Sequence, residues 1–264
     1  QTNNSGQIGI SSNRWYSSYI NNMFGTNISV TDSTTTNNHY VGGQLRVAGN
    51  SYMSNVDASG YSSSTNIYLP KTKNSDTGII FKNNLPFIHD YSSTTINTGK
   101  NLFIGESSGN FTMGNSGFNF LASNNIGLGF STLKSLTSGY RNVAVGGEAL
   151  NYLTTGSDNI AIGSSTMHSA ISLVNNVAIG NNALSTATSS ANYNVAIGTD
   201  ALRYNIDGQY DIAIGYKSLF SNTTGDFNMS IGYQSLQDNT TGYRNNAIGW
   251  RSLDNNTTGY SNTA

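Results

Sequence analysis

The residues with chemical potential are few and scattered. Three histidines, His39, His89 and His168, stand far apart in the chain, and no two share the spacing at which imidazoles hold one metal ion. With no cysteine present, thiolate metal sites and disulfide frameworks are excluded. No metal or other cofactor is expected. His89-Asp90 supplies half of a hydrolytic triad, but serine is everywhere and no strand-to-helix elbow is recognised that would present one as the nucleophile. The carboxylates Glu106, Glu148, Asp158, Asp200 and Asp207 are isolated, whereas glycoside cleavage needs two of them held roughly 5–10 Å apart. Asp200 and Asp207 are the pair that would converge across one segment of chain, although both read as solvated turn residues. The Asn-x-Thr triplets at Asn222, Asn239 and Asn256 match a glycosylation acceptor, yet their regular recurrence marks them as turn residues. These groups do not add up to an enzyme.

What positions them is a repeat. A phrase of Asn, apolar, Ala, Ile, Gly recurs from Asn125 onward, with its glycine at Gly129, Gly146, Gly163, Gly180, Gly198, Gly215, Gly232 and Gly249. The steps are 17, 17, 17, 18, 17, 17 and 17 residues, so one extra residue lies between Gly180 and Gly198 and is expected in a turn. Asparagines head the phrase at Asn142, Asn159, Asn176 and Asn194, with Asp211 as the variant, and apolar residues close it at Ile162, Ile179, Ile197 and Ile214. A small residue and then Leu or Met follow each glycine, and Thr-Thr-Gly or a similar turn ends most copies. Each copy is expected to fold as strand, bend, short strand, turn. The apolar runs are too short and too interrupted for an amphipathic helix. One such coil cannot bury its own isoleucine and leucine, but stacking equivalent coils at about 4.8 Å per rung aligns them into apolar ladders and pairs the backbone between neighbours. Eight rungs would rise roughly 40 Å. The asparagines are expected to stack their amides from rung to rung.

Composition supports this reading. Charged residues make up only 9% of the chain, against roughly 25% in an ordinary domain, and Ser, Thr and Asn supply the polar surface instead. Net charge is −1 with no basic run, so nucleic-acid binding is not expected. No apolar stretch approaches the ~18 residues of a membrane span, and Gln1 opens the chain without the features of a signal peptide. Because Asn262-Thr263-Ala264 begins another copy of the phrase, the chain is expected to be a trimmed piece that continues beyond Ala264.

Residues 1–100 differ, with short β-type runs at Gln7–Ile10, Asn27–Val30, Gln44–Val47, Asn66–Leu69, Gly78–Lys82 and Leu85–His89, and Leu102–Ile104 beyond. The expected organisation is N-terminal β-rich fibre modules over 1–100, a transition with a divergent repeat over 101–128, and β-solenoid repeats over 129–264.

The run Ile8-Gly9-Ile10-Ser11-Ser12-Asn13-Arg14-Trp15, followed by Tyr19 and Asn21, resembles an opening motif of bacteriophage tail fibres. The stretch Gly78-Ile79-Ile80-Phe81-Lys82, with Phe87-Ile88-His89 and Asn101-Leu102-Phe103-Ile104-Gly105, is similar to tail-fibre-domain proteins of phages and of Bacteroidetes-type bacteria. The Ala-Ile-Gly repeats resemble the head of YadA-type trimeric autotransporter adhesins, whose period is shorter. That resemblance implies a left-handed parallel β-roll in a homotrimer.

The residues supply their own motive for association, since each thin coil carries apolar side chains on more than one side. Three chains around an axis would bury one stripe each. Exposed aromatics recur in columns: Tyr216, Tyr233 and Trp250 near the bend, and Tyr140, Tyr243 and Tyr260 after the turn glycines. They read as stiffening ladders, with glycan contact by Tyr216, Tyr233 and Trp250 as the functional alternative. The expectation is an all-β fibrous homotrimer, a parallel β-roll with ~17-residue coils preceded by short-stranded β modules, which attaches non-enzymatically to a host or neighbouring cell-surface glycan or protein. Its setting would be extracellular, on a virion tail fibre or spike, with a secreted bacterial surface adhesin or filament as the alternative. A tailspike depolymerase and an ice-binding solenoid rank lower, the first for want of clustered acids and the second because the threonines fall in turns.

Overall fold

A computed structural model describes residues 79–82, 85–91, 100–111 and 122–264. The expected strands at Gln7–Ile10, Asn27–Val30, Gln44–Val47 and Asn66–Leu69, together with His39 and the Trp15 motif, lie outside the described residues. Two units divide the chain at Asn66/Ile67, and all described residues belong to the second.

That unit is a stack. Strands β1 (Ile80–Lys82), β2 (Leu85–His89), β3 (Leu102–Ile104), β4 (Ile126–Leu128), β5 (Val143–Val145), β6 (Ile160–Ile162), β7 (Val177–Ile179), β8 (Val195–Ile197), β9 (Ile212–Ile214), β10 (Met229–Ile231) and β11 (Asn246–Ile248) form one sheet in sequence order. From β3 onward every neighbour is parallel and in phase: Ala161 faces Ala178, which faces Ala196 across the step that is one residue longer. Nine parallel strands make eight steps, a rise of about 38 Å. No helix interrupts the described residues. The fold is a β-solenoid.

Two expectations need correction. Each coil contains a single three-residue strand, because the segment around the conserved-phase leucine is a run of turns rather than a second strand. Its leucines sit at left-handed φ, for example Leu150 at 51° and Leu219 at 50°, a conformation that costs a non-glycine residue about 1–2 kcal/mol. Burial and pairing hold them there. Leu219 is fully buried and its N–H donates to Ser235 O at 3.1 Å in the next coil.

The second correction concerns the interior. Alternation along a strand sends the middle residue one way and its neighbours the other, and it is the alanine that points inward: Ala144, Ala161, Ala178, Ala196 and Ala213 have no exposed surface. The Val/Ile pairs face outward and are partly exposed on most strands, most so at Ile160 (39%), Ile162 (38%) and Ile248 (61%). Leu, Ala and Asn columns fill the core.

The glycine after each strand lets consecutive coils touch. Gly163 adopts φ 135°, and a methyl group there would lie against the carbonyl of Gly180 one rung on. At the other end of the described stack, β1 and β2 form an antiparallel pair, and β2 lies antiparallel to β3 with His89 opposite Phe103. Phe103 occupies the alanine column, and Gly127 on the next rung makes room for its ring. Together with His89, Tyr91 and Phe111 it caps the core.

Candidate functional site

The interior is held by amides. Asn125 Oδ1 accepts from both the backbone N–H (3.0 Å) and the Nδ2 (3.1 Å) of Asn142, whose Nδ2 also reaches Gly156 O at 2.9 Å. Asn159 and Asn176 repeat the contact to the rung before, and Asn194 takes its place through its backbone N–H. The expected ladder is present, fully buried. A second ladder went unread in the sequence: Asn222 Nδ2 donates to Asn205 Oδ1, Asn239 Nδ2 to Asn222 Oδ1 and Asn256 Nδ2 to Asn239 Oδ1. Each also closes its own turn on a glycine carbonyl, as in Asn222 to Gly225 O at 2.9 Å. Buried and doubly bonded, Asn222 and Asn239 are closed to glycosylation as folded. Earlier coils fill the same column with Leu136, Leu153, Ala170 and Ala187, so the interior changes from apolar to amide at the long coil. The signal was the Asn-x-Thr recurrence, which was read as turn chemistry alone.

Asp211 is the ladder's one carboxylate. Its Oδ1 accepts from the N–H and Nδ2 of Asn228 at 2.7 and 3.2 Å, and Oδ2 accepts from Asn222 Nδ2 at 3.1 Å. Burial pushes its pKa well above the ordinary carboxylate value, against the pull of those Asn228 hydrogen bonds.

The candidate chemical groups are occupied structurally. His89 Nε2 donates to Ser108 O at 2.8 Å, and Nδ1 accepts from Tyr91 N–H at 3.3 Å. Burial lowers its pKa below the usual imidazole value, partly offset by the Ser108 hydrogen bond and the Asp90 charge. Gly105-Glu106-Ser107-Ser108-Gly109 carries the letters of a nucleophile elbow that sequence reading passed over, and Ser107 has a positive φ of 58°. The same φ recurs at Ser131, Glu148 and Ser165, so it belongs to the repeat, and no helix follows within the described residues. Asp200 is tied to Arg203 Nη1 at 3.0 Å and to Asn182, while Asp207 is exposed in the following turn. Arg141 and Asp158 pair on consecutive rungs at 2.6 Å. His168 lies 3.8 Å from Glu148, with Tyr152 edge-on to its ring. Among the described residues no group of three His, Asp or Glu side chains is placed to hold a metal, and no helix is long and apolar enough to cross a membrane.

The outer surface carries the remaining features. Along the strand face run the half-exposed Val/Ile columns. Tyr216 and Tyr233 stack at 5.3 Å, while Trp250, the third of that column, is 72% exposed with Arg251 over its ring at 5.5 Å. Tyr243 and Tyr260 stack at 5.0 Å. A further column was missed because its residue type changes along the repeat: Tyr193, Tyr210 and Phe227 lie 4.9 Å apart and within 4° of parallel. Parallel stacking consumes ring faces, so such columns offer a partner their edges.

No family model matches the chain, no curated protein matches it and no solved structure matches it.

Proposed function

We propose that this chain is part of a non-enzymatic, homotrimeric surface-attachment fibre, of the phage tail-fibre or spike kind, working outside the cell on a virion. The supporting observation is the outward Val/Ile face. The strands leave two largely apolar columns partly exposed along the stack, within a strip on the order of 400 Å² if taken as about 38 Å long and 10 Å wide, comparable to the largest apolar patch of a typical monomer, which is often functional. Association of copies around that strip covers it and leaves the turns and their aromatic columns outside. Three copies then engage a host-surface glycan or protein at once, and avidity replaces a deep pocket.

The natural absence of cysteine makes the test direct. Ile179→Cys on the strand face should give interchain disulfide-linked chains on mild oxidation, and Thr257→Cys in an exposed turn should not. Equal, weak linking of both variants would remove the shared axis.

A further inference from the structure

The extra residue of the long coil falls between Thr188 and Asn192: Ile171 N–H still meets Thr188 O seventeen residues on, whereas Val174 N–H meets Asn192 Oδ1 eighteen on. Its consequence is a broken rung. In this column Thr137, Thr154, Thr223 and Thr240 each donate their backbone N–H and their hydroxyl to the carbonyl of the next coil, as Thr154 does to Ile171 O at 2.9 and 3.0 Å. At Thr188 both bonds are missing. Its N–H and Oγ1 have no partner, and Ile206 O, the acceptor they would have met, has none either.

Beside these groups lies a wide, open groove of about 620 Å³ with mostly apolar walls, formed by Thr186, Thr188, Tyr204, Ile206, Ser221 and Thr223, a volume within the range of ligand sites. Tyr204 and Ile206, 42% and 45% exposed, make an apolar centre on one rung, and hydroxyls stand on the rungs to either side. Tyr204 has Thr186 and Ser221 as column neighbours and meets Phe220 at 79° rather than in a parallel stack, so no ring of its own column covers it. Arg203 lies over one face of the Tyr204 ring, 5.4 Å from its centroid, and pairs with Asp200 at 3.0 Å, which leaves the other face to a ligand. The groove therefore offers an aromatic platform, unpaired donors and an unpaired acceptor, and no net charge.

We infer that this interrupted rung is a binding site for a neutral saccharide, whose ring has an apolar C–H face for Tyr204 and Ile206 and hydroxyls that both donate and accept. A ligand that covers the Thr188 N–H and the Ile206 C=O must replace their hydration with hydrogen bonds of its own, which a saccharide can do and a purely aliphatic occupant cannot. The inference rests on the attachment reading and places the contact here rather than at Tyr216, Tyr233 or Trp250.

The test is a neutral-glycan microarray probed with the full chain, with Tyr204→Ala, and with Ser190 deleted to restore the seventeen-residue period and close the rung. Light-scattering mass is measured on all three. Expected is selective binding by the full chain that falls roughly tenfold or more in both variants, the scale of losing an anchoring aromatic, at unchanged mass. Absence of any bound saccharide, or binding that both variants retain, overturns the site while a multichain mass leaves the fibre standing. A mass that drops on deleting Ser190 overturns it too, by assigning the groove to the chain interface. Selective, Tyr204-dependent binding by a monomer keeps the site and removes the trimer.

Discussion

At the residue scale, Asp211 and His89 are the buried acid and the buried imidazole whose charge state the fold restrains. Asp211 has a folded pKa raised above its unfolded value near 3.8, so its favourable contribution is complete below that value and is lost as pH rises through the folded pKa. Asp211→Asn should therefore raise stability at neutral pH by about 1–2 kcal/mol, read as a higher Tm, with the advantage vanishing toward pH 4. The reason is geometric: an asparagine there places Nδ2 toward Gly225 O, as Asn194 does toward Gly208 O and Asn228 toward Gly242 O. His89 has the opposite sign. Its folded pKa lies below the unfolded 6.5, so its contribution is present above 6.5 and is lost as pH falls through the folded value. Amide protection factors in β2 and around Ser108, corrected for the intrinsic exchange rate at each pH, should fall on acidification, and His89→Gln should flatten that dependence. Neither environment was legible beforehand. Asp211 was read as a variant of the asparagine column, but nothing in the spacing said that the column was dry.

At the element scale, the coil balances strained turns against complete pairing. Leu219→Ala should cost about 2–5 kcal/mol by opening a cavity at a fully buried position, and Gly198→Ala should cost several by pressing a Cβ onto the carbonyl of Gly215. Urea midpoints would check both. The period, the strand position, the bend glycine and the first amide ladder all follow from the recurrence of Asn-x-Ala-Ile-Gly, because stacking demands one residue type per column. Which side of the strand faces inward did not follow. Alternation separates Ala161 from Ile160 and Ile162 without saying which is inside, and the hydrophobicity of isoleucine points the wrong way when the facing leucine and asparagine columns already fill the space opposite the strand. The second ladder was hidden for a related reason: Asn222 and Asn239 are polar and stand beside Thr-Thr-Gly turns, whereas their burial depends on the neighbouring coils. The long coil was visible as an eighteen-residue step; that it frees the Thr188 N–H depends on how the neighbouring coils meet around it.

At the scale of the whole molecule, turning isoleucine outward converts a self-contained stack into one with an uncovered apolar strip. A solenoid that filled its lumen with isoleucine would need no partner along its sheet. This one fills the lumen with alanine, leucine and asparagine and leaves Ile162, Ile179, Ile197 and Ile214 in a line on the surface. Replacing Ile162 and Ile179 together by Lys puts two charges in that line while leaving Ala161 and Ala178 to pack as before. The single chain should keep its β-sheet circular dichroism but lose its partners.

The decisive measurement is the mass in solution, by multi-angle light scattering at micromolar concentration. The account predicts three times the 28.1 kDa of one chain for the protein as it stands and a single chain for Ile162→Lys/Ile179→Lys. A 28.1 kDa particle without any substitution would contradict it.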